Sequence, residues 1–136
     1  MSPSTLVSTG IIVLVFLTIA FGGTFLLRVF SGGFPANDLQ KSFFRAGHAH
    51  AGVLLVLGLV VRLFLADPRV PDWSRTLGDF VLWSAVLVSA GFFLSVLGKD
   101  PQKPSRLIVL LWLGVASLAL GLVGAGLGLI SAGTSA

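Results

Sequence analysis

The second apolar stretch of the chain opens with Phe43-Phe44-Arg45-Ala-Gly-His48-Ala-His50-Ala-Gly52, a segment that gathers both histidines of the protein beside an arginine. Imidazole is the side chain that most readily serves as metal ligand or proton carrier near neutral pH. A cation at the centre of a membrane helix costs about 2.5–3.5 kcal/mol, and less towards the interface, so Arg45 is placed to snorkel. His48 and His50 lie deeper, where burial favours the neutral ring, the form that ligates metals. At about 100° per residue the two rings point roughly 200° apart, so this helical His-x-His cannot clamp one ion. His48 shares its side with Arg45, Gly52, Leu55 and Arg62; His50 shares its side with Phe43, Ala46, Gly47, Leu54 and Leu57. The spacing therefore assigns the two rings different tasks.

The rest of the composition narrows the chemistry. The chain has no Cys, Glu or Tyr, which removes thiolate metal sites, disulfides and sulfur nucleophiles. A zinc site needs three or four ligands, and the five aspartates fall near the ends of the apolar stretches. One imidazole above a helical surface of glycine and alanine suits a haem, whose iron takes an axial nitrogen and whose flat ring needs small neighbours. Two plainer readings stand beside it: each histidine donates to a carbonyl or to Ser84, Ser89 or Ser117 of a neighbouring helix, or the pair handles protons or ions.

The run Arg45-Ala-Gly-His-Ala-His50-Ala-Gly52, opening the second of four spans in so short a chain, resembles the styrene oxide isomerase and hydroxylaminobenzene mutase group of membrane enzymes. In the isomerases an Ala-His-small-Gly run supplies the axial histidine of a haem b held in a trimer. Ala49-His50-Ala51-Gly52 matches it, so the resemblance implies His50 as iron ligand, with Arg45, Gly47 and Gly52 around the cofactor. It further implies a homo-oligomer and a ferric haem acting as Lewis acid on a small apolar epoxide. The chain has Val56 where the family carries an Asn, and it has no Tyr, which leaves His48 or Arg45 to make the polar substrate contact.

These residues need helices to position them. Of the 136 residues 55% are hydrophobic and 10% charged, the profile of a membrane protein. Apolar stretches of about Leu6 to Leu27, Leu39 to Leu65, Leu77 to Leu97 and Leu107 to Ile130 are each long enough to cross a hydrocarbon layer of roughly 30 Å. The expected fold is all-α, an integral membrane four-helix bundle in one domain. The first stretch reads as a span rather than a cleaved signal, because no Lys or Arg precedes it. Asn37 or Asp38 can cap the second helix, and Thr76 with Asp79 has the spacing of a capping box for the third. Gly124 and Gly128 form a GxxxG pair, and Gly47, Ala51 and Gly58 lie near one stripe of the second helix, both read as packing faces, within the chain first and between copies as the alternative.

The formal charge of +4 comes from nine Lys and Arg spread singly, with no basic stripe for nucleic acid. Arg28, Lys41 and Arg45 with Lys99, Lys103 and Arg106 mark one side of the membrane; Arg62, Arg69 and Arg75 mark the other. The more basic side belongs in the cytoplasm, which puts both termini outside a plasma membrane of bacterial type. Three functions fit this sequence: a haem-b isomerase in the bilayer, a non-enzymatic subunit of a larger membrane complex, and a channel for a small solute lined by His48 and Arg45.

Overall fold

The computed structural model describes residues 2–134. Four helices run in chain order: α1 (Pro3–Phe30), α2 (Asp38–Phe64), α3 (Asp72–Leu94) and α4 (Val109–Thr134), the last entered through a 3-10 turn at Arg106–Ile108. All four are long and apolar enough to cross a membrane, and the described residues contain no strand.

Local chemistry sets the boundaries. Ser2 caps α1 by accepting the Thr5 N–H at 3.2 Å, with Pro3 in the first turn, where a missing N–H costs nothing. At α2 the capping box is Asn37 with Gln40: the Asn37 carbonyl oxygen accepts the Gln40 N–H at 2.9 Å, and the Gln40 side chain accepts the Asn37 N–H at 3.1 Å. α3 starts five residues before the expected Leu77, directly after Pro71, whose own side chain makes no capping bond. This overturns the Thr76–Asp79 capping box. Thr76 donates to the Asp72 carbonyl at 3.1 Å, and Asp79 lies in the second turn, where the backbone donors already have helical partners. At its other end α3 stops at Leu94, before the expected Leu97, and α4 continues to Thr134, past the expected Ile130.

α3 is the centre of the packing, flanked by α2 and α4, while α1 lies chiefly against α2. Glycines allow the close approach. A Cβ at Gly114 would stand 2.7 Å from the Val88 nitrogen, one at Gly121 2.8 Å from the Val81 nitrogen, and one at Gly91 would strike the Leu111 backbone. Gly124 and Gly128 press on Leu77 and Ser74 of α3, so the GxxxG pair serves contact within the chain. Two hydroxyls lock this seam, Ser74 donating to the Gly124 carbonyl at 3.0 Å and Ser117 to the Phe80 carbonyl at 2.8 Å. Where lipid offers no hydrophobic gain, such backbone proximity and hydrogen bonding hold helices together.

The connections sort to two ends. Asn37 donates to Asp100 at 2.9 Å and to the Pro101 carbonyl at 2.7 Å, and Gln40 donates to the Val96 and Gly98 carbonyls, both at 3.1 Å. The α1–α2 and α3–α4 connections therefore meet at one end. At the other, Ser2 and Thr5 of α1 line a cleft with Ala66 and Pro68, and Leu65 and Val70 pack with Ala125 and Ala132 of α4. The start of α1 and the end of α4 share that end with the α2–α3 connection.

Candidate functional site

His50 lies on the exposed side of α2 nearest α3. Its Nδ1 is 2.8 Å from the Ala46 carbonyl oxygen, one turn back. That acceptor fixes the tautomer, with Nδ1–H donating and the lone pair on Nε2. The Phe92 ring of α3 stands beside the imidazole, centroids 5.2 Å apart and tilted 33°, and Phe43 in turn packs edge-on against Phe92 at 5.5 Å. Nε2 makes no hydrogen bond among the described residues. An imidazole held by a carbonyl at one nitrogen and open at the other is the arrangement that ligating histidines adopt.

His48 points to the opposite neighbour. Its ring lies against Gly22 and Gly23 of α1, where a Cβ would stand in ordinary contact with it, 3.5 Å from Nδ1 at Gly22 and 3.7 Å from Nε2 at Gly23. The half-buried ring forms part of a shallow, almost wholly apolar groove of about 460 Å³ between α1 and α2, with Phe16, Ile19, Gly52 and Val56. Neither histidine hydrogen-bonds to Ser84, Ser89 or Ser117, while the bond from His50 to the Ala46 carbonyl is of the kind the plainer reading expects. Ser84 donates to the Val81 carbonyl, Ser117 to Phe80, and the Ser89 hydroxyl is buried with no partner.

The structure divides the sequence-assigned site into two. Arg45 is exposed, with its guanidinium 5.8 Å above the Phe30 ring of α1. Gly52 has nothing within 4 Å of a would-be Cβ and belongs to the His48 groove. Gly47 is covered by Phe92 and Phe93, with a Cβ there only 2.8 Å from the Phe93 ring, so its role is packing against α3. Of the four residues expected around a cofactor, His50 alone presents a free ligating atom. Among the described residues no three metal-ligating side chains converge.

A second polar cluster went unread in the sequence. Arg62 donates through Nη2 and Nε to Asp79 Oδ1 at 2.7 and 3.2 Å, and through Nη1 to Ser8 at 3.0 Å and Thr9 at 3.4 Å, joining three helices. The signal was present: Asp79 and Arg62 are opposite charges inside apolar helices joined by a short connection, and an intramembrane charge needs a partner.

No protein-family model, curated protein or solved structure matches this chain. The site must speak through its own geometry.

Proposed function

We propose that the protein is an integral membrane haem-b-binding protein in which His50 is the axial ligand of the iron. One observation carries the reading: Nδ1 of His50 is held by the Ala46 carbonyl while Nε2 is left open on an exposed helical face beside Phe92. The resemblance of residues 45–52 to the styrene oxide isomerases supports the same assignment. A ferric haem bound there supplies a Lewis acid suited to an epoxide oxygen, which makes isomerisation of a small apolar substrate the proposed reaction. The chain's own contribution is to fix the imidazole plane, exclude water with an apolar helical surface, and supply polar contacts from elsewhere. His48 and Arg45 face α1, away from His50. A cyclic homo-oligomer, three copies on the resemblance, would set one copy's α1–α2 face against the next copy's His50 and reunite them. The proposed orientation has both termini outside, following the distribution of Lys and Arg. The small-residue stripes that favour an accessory-subunit role are used largely within the chain, at Gly47, Gly58, Gly91, Gly114, Gly121, Gly124 and Gly128.

The test is an absorption spectrum of protein purified after haem-replete expression. A Soret band is expected, lost in His50→Ala and kept in His48→Ala. Equal loss in both variants, or a wild-type protein without the band, overturns the assignment.

A further inference from the structure

The cleft at the terminal end of the bundle is chemically unlike the haem-ligand face. It measures about 600 Å³ and lies between the first turn of α1, the end of α2 and the second turn of α3, with Thr5, Arg62, Leu65, Arg75, Thr76 and Asp79 among its walls. Arg62 is committed: its side chain is 17% exposed and its nitrogens engage Asp79, Ser8 and Thr9. Asp79 is not. It is 48% exposed, Oδ1 takes both bonds from Arg62, and Oδ2 accepts none among the described residues. Arg75 donates to the Leu65 carbonyl at 2.9 Å, the Asp67 carbonyl at 2.8 Å and Asp72 at 2.5 Å, which leaves two of its five N–H groups unused.

Arg75 and Asp79 stand four residues apart on α3, about 6 Å along one helical face. A simple cation entering the cleft meets two guanidinium groups, and a simple anion meets the open carboxylate oxygen. A molecule carrying both charges satisfies both walls, its cation on Asp79 Oδ2 and its anion on Arg75. The cation must be able to donate hydrogen bonds, because Oδ2 is an unfilled acceptor. The anion must suit a planar guanidinium, which phosphate does. The cleft lies at the end of α2 and the start of α3, and the exposed Trp73 in the first turn of α3 is the kind of residue that marks a helix end at headgroup depth.

We propose that this cleft binds a zwitterion joining a primary ammonium to a phosphate, the headgroup chemistry of an ethanolamine phospholipid. The full-length protein is reconstituted into nanodiscs of equal phosphatidylethanolamine and phosphatidylcholine, and the retained lipid is quantified after transfer to detergent. The quaternary amine of choline cannot donate, so the ethanolamine lipid is expected to be retained about tenfold over the choline lipid, the scale of one hydrogen bond to a charged group. A second arm adds free phosphoethanolamine. Displacement of the lipid, or saturable binding without it, assigns the site to the soluble zwitterion, and absence of displacement assigns it to the lipid. The double variant Arg62→Gln/Asp79→Asn removes both charges together and is expected to bring the lipid preference to parity. Thr76→Phe obstructs the cleft from an exposed position without touching the ion pair, and should do the same. Parity in the wild type with no binding of phosphoethanolamine overturns the proposal, as does a preference that survives both variants.

Discussion

What an imidazole can do depends on the partner of its other nitrogen, and the two histidines differ in this respect. His50 has a carbonyl behind it; His48 has two glycines. Their opposed directions were legible in the sequence, because a spacing of two on a helix settles the question without any tertiary knowledge. The carbonyl one turn back of His50 lies on its own helix, but the neighbours that flank the rings were not legible, since Phe92 and Gly22 lie on other helices. Asp67 in the α2–α3 connection shows the same dependence. The Arg69 side chain, at 2.7 and 3.0 Å, and then the Arg69 N–H, at 2.9 Å, hold its carboxyl down at about 2. A depressed value means the folded chain takes up this proton less readily than the unfolded one. Its contribution is therefore complete above the ordinary aspartate range and is lost as the pH falls through about 2. Carboxyl chemical shifts followed against pH should show this midpoint, and Arg69→Ala should raise it only part of the way, because the backbone N–H of residue 69 still donates.

At the scale of the helix, apolar length made all four spans readable, while their starts were set by contacts no periodicity contains. α3 begins at Asp72 because Pro71 stands in extended backbone, and Arg75 reaches back to the Leu65 and Asp67 carbonyls to close the end of α2. In the N3 place of a capping box, Asp79→Asn would keep an accepting oxygen for the cap N–H and cost little. As the partner of Arg62 it should instead cost ~1–3 kcal/mol, read as a lower unfolding midpoint in detergent. Small residues carry the matching lesson. Gly91→Ala drives a methyl into the Leu111 backbone and is expected to destabilise by about 1–3 kcal/mol. Gly126→Ala, where a Cβ meets nothing within 4 Å, should leave stability close to the wild type in the same assay. The sequence marked both positions only as glycine; the helix opposite separates them.

For the whole molecule, the pairing of ends follows from antiparallel helices of similar length, and it was legible once the spans were counted. The bonds from Asn37 and Gln40 to residues 96–101 give it a physical basis. Cysteines introduced at positions 2 and 101 are expected to label from opposite faces of the membrane, and labelling from one face would refute the arrangement. The unequal grip on the four helices was not legible, because α1 is among the most apolar spans and yet has only Val29 buried. That imbalance bears on how the protein is made. α1 is synthesised before α2, so the guanidinium that engages Ser8 and Thr9 follows more than fifty residues later, and the imidazole that lies against Gly22 and Gly23 belongs to the same later helix. During synthesis α1 must wait for α2 without either contact. Its Gly22–Gly23 surface stays without the His48 ring until the second helix arrives.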